Sequence, residues 1–338
     1  MPDAALPELV ELERVIDAGH GVLDVRVVRE VEAGAAARFP IYAIALGNPD
    51  TNAPAVGFVG GVHGLERIGT DVVVAYLRHL VMRLRWDATL HRQLESVRLL
   101  FMPLVNPGGM WRATRANPNG VDLMRNAPLE AHERVPPLIG GHRISAHLPW
   151  FRGHLGDAME VESAALCKTV AAELLAREFS IALDCHSGFG LSDRIWFPYA
   201  HTREPFSHLA EVHALEEIFR RTHPHHPYIF EPQSLQYLAH GDLWDYLHLR
   251  AARAPGRIFL PLTLEMGAWL WVKKNPRQMF SKHGIFNPRL AHRQQRVLRR
   301  HLSLLDFLSR AAASFAAWIP RGNARAVHAA RALDRWYR

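Results

Sequence analysis

The first 280 residues alternate between short apolar runs and stretches with helical spacing. The runs VLDVRVV (22–28), PIYAIAL (40–46), AVGFVGGV (55–62), VRLLFMPLV (97–105), IALDCH (181–186) and RIFLPLTLEM (257–266) read as strands. Several are continuously apolar, as in strands buried on both faces of a sheet. Thr70 and Asp71 are cap candidates for a helix through VVVAYLRHLVMRL. A second helix is expected from about Glu160 through ESAALCKTVAAELLAREF, and a third through PFSHLAEVHALEEIFRRT. Strand and helix in alternation predict an α/β three-layer sandwich, its mixed, largely parallel sheet flanked by helices. Residues 127–156 carry Pro, Gly and His without periodicity, and irregular chain of that length is usually functional.

No linker or composition shift divides the middle of the chain. The expected organisation is an N-terminal extension (1–20), one main domain (21–310) and a basic C-terminal tail or helix (311–338). The 338 residues are 49% hydrophobic and 22% charged, which excludes disordered and fibrous classes. Two cysteines, Cys167 and Cys185, cannot make a disulfide framework or a Cys-rich zinc site. Residues 2–20 show no signal-peptide pattern, and no apolar run reaches a membrane span. The expectation is therefore a cytoplasmic protein with no membrane partner. Its oligomeric state is not legible.

The formal charge of +7 resides in the C-terminal region. From Lys282 onward stand twelve Lys/Arg against two acids, leaving 28 against 31 in the first 281 residues. A basic tail can bind nucleic acid. Here Leu298, Leu302, Leu305, Leu308 and Ala312 recur at helical spacing, so the charge reads as a solvated helix face, and no nucleic-acid partner is expected.

Three expected strand ends carry polar residues that a buried sheet does not need. In GGVHGLERIG, His63 and Glu66 stand three apart between a strand and a helix, a spacing that can converge on one metal ion. In LDCHSGFG, His186 ends another apolar run. Either feature alone is weak. Together they make a His, Glu, His set of the kind found in open catalytic zinc shells, at the strand ends where α/β sheets place their sites. In TLEMG, Glu265 interrupts an apolar run, and a buried carboxylate needs a partner or a task. The segment NPGGMWRATRANPNGVDLMRN adds Arg112, Arg115 and Arg125, either solvated loop arginines or the cations that a hydrolytic site uses. The histidines of THPHHP (His223, His225, His226) read as surface loop.

In this order, over about residues 40–270, the motifs resemble those of the M14-type zinc carboxypeptidases related to carboxypeptidase A. HGLE and DCHS resemble the ligand segments, implying one zinc ion on His63, Glu66 and His186. MWRATR is similar to a segment whose first arginine polarises the scissile carbonyl, which implies Arg112 in that role. GVDLMRN resembles a segment that implies Arg125 as the grip on a substrate's terminal carboxylate and Asp122 as the support of His63. GDLWDY implies Tyr246 as the residue that closes over substrate, and TLEMG implies Glu265 as general base. Met124 departs from the family's usual Asn beside that arginine, which bears on the substrate-binding end.

The resemblance implies hydrolysis of an amide next to a free carboxylate, in a peptide or an acyl-amino acid. Carboxypeptidase activity is the leading expectation. A related amidohydrolase or side-chain deglutamylase is the alternative, and a non-catalytic binding protein with a basic tail is more distant. Side-chain preference is expected to be set within residues 247–264.

Overall fold

The apolar runs assemble into one eight-stranded sheet. In the computed structural model, which describes residues 6–34, 37–226, 228–281 and 283–338, the strands are β1 (Asp24–Gly34), β2 (Ala37–Gly47), β3 (Ala55–Gly60), β4 (Arg98–Met102), β5 (Phe179–Ser187), β6 (Arg194–Phe197), β7 (Ile229–Pro232) and β8 (Ile258–Met266). Their order is β1-β2-β4-β3-β5-β8-β6-β7. The central strands β4, β3, β5 and β8 run parallel. β2 joins them antiparallel on one side and β6 on the other. β3 and β5 are buried along their whole length, which explains why their sequences do not alternate. All six expected strands are present. β6 and β7 were not legible, because four residues are too few to establish a period.

The helices are α1 (Pro7–Ala18), α2 (Arg67–Arg83), α3 (Ala88–Leu94), α4 (Pro107–Arg112), α5 (Val161–Glu173), α6 (Leu209–Thr222), α7 (Leu243–Ala251), α8 (Trp269–Lys274), α9 (Ala291–Ala313), α10 (Phe315–Trp318) and α11 (Gly322–Trp336). Alternate sheet residues face opposite layers. Phe58, Ile181 and Leu183 meet α2, α6 and α9 on one face. Val59 and Ala182 meet α5 and α7 on the other. The fold is thus the three-layer α/β sandwich, and none of its described helices is long and apolar enough to cross a membrane.

Two boundaries differ from expectation. α2 begins at Arg67 with Glu66 at its cap position, so Thr70 and Asp71 lie inside the helix, and Thr70 is buried. The two terminal segments are not appendages. Leu12 and Val15 of α1 belong to the main core, as do Ala332 and Trp336 of α11, and α9 runs unbroken through residue 310.

Candidate active site

β3, β5 and β8 run parallel and end at one level, so the residues that follow them gather at one edge of the sheet. His63 lies just beyond β3, where the backbone approaches α4 so closely that a Cβ on Gly64 would sit 2.1 Å from the Gly109 carbonyl carbon. Only glycine fits there. A Cβ on Gly69 would likewise meet the Cys185 carbonyl oxygen at 2.1 Å, so its absence lets the first turn of α2 rest on β5. That contact carries Glu66 to His186. On the neighbouring strand Glu265 is the direct register partner of His186.

His63, Glu66 and His186 converge. His63 Nδ1 lies 3.0 Å from Glu66 Oε1, His186 Nδ1 lies 3.0 Å from Glu66 Oε2, and the two Nδ1 atoms are 3.2 Å apart. All three residues are buried. Each ring is braced from behind by a carboxylate: His63 Nε2 faces Asp122 Oδ1 at 3.0 Å, and His186 Nε2 faces Asp184 Oδ2 at 2.7 Å. A carboxylate acceptor there assigns the proton to Nε2 and leaves Nδ1 free as a ligand. Asp184 is also held by the Trp244 indole at 2.9 Å. Two imidazole nitrogens and a carboxylate with an open side fit a catalytic zinc ion.

Charges around this triad are strongly perturbed. Burial alone would raise the Glu66 carboxyl, but His63 and His186 outweigh it and hold the group far below its usual range. Asp122 is likewise opposed by burial, and Arg115 and His63 keep it well below the ordinary value. Glu265 goes the other way: burial, then the charge of Glu66, push it up to about 8. Its Oε1 accepts from the Phe189 amide at 3.1 Å. A cation held between Glu66 and Glu265 would pull that carboxyl back down.

Beside the triad opens a cavity of about 880 Å³. Met124, Arg125, Arg115, Glu265, Asp242 and Tyr237 line it together with the aromatic rings of Trp150, Phe189, Trp196, Trp269 and Phe286. Arg125 is 2% exposed, and among the described residues no carboxylate reaches its guanidinium at salt-bridge distance. It donates to the Tyr237 hydroxyl at 3.3 Å and to the Ile139 carbonyl at 3.4 Å. The Tyr237 ring centroid is 5.6 Å from the guanidinium carbon. Met124 is buried in the apolar cluster under this wall and also borders the cavity.

Two expected site residues are elsewhere. Arg112 ends α4 and donates to the carbonyls of Ala33 (2.9 Å) and Pro118 (2.7 Å), outside the cavity. Ala113 follows in the left-handed conformation (φ 51°) and turns the chain, so that Arg115 enters the site. There Arg115 reaches Asp122 Oδ2 at 2.9 Å and Glu66 Oε1 at 3.2 Å. Tyr246 is half-buried on α7, packed against the apolar cluster with Arg250 over its ring, and Tyr237 is the tyrosine in the cavity. The cavity also departs from the expected specificity segment: of residues 247–264, Thr263 alone lines it. Asp184 and Asp242 were missed. Asp184 could have been found, since it is two residues before His186 and so shares its strand face. Asp242 caps α7, accepting from the amides of Trp244 and Asp245 at 2.9 Å. Burial, then the charge of Asp245, push it up to about 7.

Residues 31–265 match the sequence profile of the zinc carboxypeptidases. Carboxypeptidase SOL1 of Arabidopsis thaliana is 33% identical over 75 residues, 22% of this chain and 15% of that protein. Carboxypeptidase D of Anas platyrhynchos is 22% identical over 176 residues, 48% of this chain and 11% of that protein. The chain therefore matches under a fifth of the length of these curated relatives. Among solved structures, carboxypeptidase A from Helicoverpa armigera superposes with a TM-score of 0.63 at 18% identity, covering 90% of this chain and 71% of that one. Thrombin-activatable fibrinolysis inhibitor superposes with a TM-score of 0.62 at 16% identity, covering 90% and 72%. At these identities the structural likeness is one of fold.

Proposed function

The chain belongs to the zinc carboxypeptidase family, and on that premise we propose that it removes apolar C-terminal residues from peptides. The buried Arg125 guanidinium carries this reading. Asp122 and Asp242 act on it only from beyond ion-pair distance, so its fork is open to an anion from outside. A peptide's terminal carboxylate supplies one, gripped by the planar fork. Its side chain then lies among Trp150, Phe189, Trp196 and Tyr237, walls suited to a large apolar group.

His63, Glu66 and His186 would hold one zinc ion, which when bound polarises the carbonyl and lowers the pKa of a bound water from 15.7 toward ~7. Asp122 and Asp184 fix the ring tautomers. Glu265 takes the proton of the attacking water and returns it to the leaving amine. Arg115 donates to the oxyanion as it develops. Its Nη1 and Nε are already oriented by Glu66 and Asp122, so little reorganisation is needed.

No specific observation favours the amidohydrolase alternative, and membership of a peptidase family argues against a non-catalytic binding protein. Glu265→Gln tests the reading. Turnover of peptides ending in Phe or Leu should fall by about 10²–10⁴, with zinc content unchanged. Activity within tenfold of the parent would move the base elsewhere. Cleavage of N-acyl amino acids without peptide cleavage by the parent would replace the carboxypeptidase reading.

A further inference from the structure

The C-terminal helix α11 is fastened by few apolar groups: only Ala332 and Trp336 are buried. Leu333 packs beside them, and further links to the layer beneath are polar. Arg325 and Arg335 reach Glu211 and Glu216 of α6, each at 2.6 Å, and the Trp336 indole donates to the Phe230 carbonyl at 2.8 Å. Between these arginines in sequence comes a contact of another kind. His328 Nδ1 meets His213 Nδ1 at 2.8 Å, the ring planes crossing at 67°. Glu217 stands one turn after His213 on the same face of α6. One ligand-capable atom from each of His213, Glu217 and His328 lies within 4.8 Å of the other two.

We propose that His213, Glu217 and His328 form a second metal site, which takes zinc and clamps α11 onto α6. Two imidazole nitrogens and one carboxylate oxygen suit zinc. Ligands about 2.0–2.1 Å from a tetrahedral ion stand roughly 3.3 Å apart, so the facing Nδ1 atoms need to move by only about half an ångström. Arg221 occupies Glu217 Oε1 at 2.7 Å, which leaves the second oxygen for the ion. Arg335 pairs with Glu216 and Arg221 with Glu217, which offsets part of the positive charge around His213, while Arg331 adds to it from the solvent side. Water completes the shell on the open side. None of these residues lines the catalytic cavity.

Zinc alone, added to chelator-stripped full-length protein, tests the site. Wild type should take up two equivalents and His328→Ala one, with peptide hydrolysis retained. The His63→Ala/His186→Ala variant should also keep one equivalent, which reports the α11 site independently of catalysis, and adding His328→Ala to it should abolish uptake. That last equivalent should raise Tm by several degrees and slow amide exchange in α11. Glu217→Gln, which keeps the shape of the side chain, should reduce both effects. A His63→Ala/His186→Ala variant that binds no zinc would overturn the site, as would undiminished uptake in His328→Ala.

Discussion

Arg115 and Asp122 form an ion pair, its carboxylate buried and its guanidinium partly exposed, that links the candidate oxyanion donor to a candidate metal ligand, His63. Arg115 Nε donates to Asp122 Oδ2 at 2.9 Å while Oδ1 of the same carboxylate faces His63 Nε2 at 3.0 Å. One carboxylate therefore orients both groups, which meet again at Glu66 Oε1. Arg115→Ala should lower kcat by about 10²–10³, the effect of removing one oxyanion donor. Arg112→Ala loses only two hydrogen bonds to carbonyls, so kcat should hold while stability falls by about 1–3 kcal/mol. Steady-state kinetics of the two variants side by side decide which arginine acts. Equal kcat losses in both would refute the assignment.

Tyr237 and Tyr246 make a second such pair. Tyr237 touches Arg125 and lines the cavity, whereas Tyr246 packs under Arg250. Tyr237→Phe removes a hydrogen bond to a charged group, so KM should rise by about tenfold. Tyr246→Phe should leave both constants unchanged. The converse pattern would place the substrate-facing tyrosine on α7.

Met124 borders the cavity beside Arg125, yet its thioether cannot donate to a carboxylate. Met124→Asn should add a donor and lower KM for simple C-terminal carboxylates by about tenfold. Burying an amide in the apolar cluster should cost ~1–3 kcal/mol of stability at the same time. Denaturant titration and KM measured on one preparation separate the two effects. An unchanged KM would mean that the side chain at 124 does not reach the ligand.

His301 predicts a pH dependence of folding. It is 1% exposed, its Nδ1 lies 2.8 Å from the Tyr228 hydroxyl, and burial pulls its pKa down from 6.5 to about 4. Asp193 opposes that shift, while Arg300 and His226 add to it. With the folded value below the unfolded one, the unfolded chain takes up the proton first. The contribution to stability is complete above about pH 6.5 and is lost as pH falls toward 4. From this residue the loss amounts to about 3 kcal/mol at 1.36 kcal/mol per pKa unit. Urea titrations at pH 7 and 4.5 should show a smaller difference for His301→Gln than for wild type. Equal differences would assign the acid sensitivity to other groups.

How much of this was written locally can be read from particular residues. The runs 55–62 and 181–186 are apolar without a break, and a strand buried on both faces needs nothing else to reveal it. His63, Glu66, His186 and Glu265 were legible because each is a polar interruption at or beside such a run. Arg112 and Arg115 could not be ranked that way, being two arginines in one short segment. The left-handed turn at Ala113 decided between them, sending the first arginine to the Ala33 carbonyl and the second to Asp122 and Glu66. Tyr237 and Tyr246 were likewise separated only when the fold set one in the cavity and the other, on α7, under Arg250. The cavity walls come from Trp150, Phe189, Trp196 and Phe286, which are far apart in sequence and share no period. Strands and their polar ends follow from local pattern, because burial acts on each segment separately. The direction of a loop side chain, and the set of rings that meet around a substrate, depend on contacts between distant segments, which exist only once the sheet has brought them together.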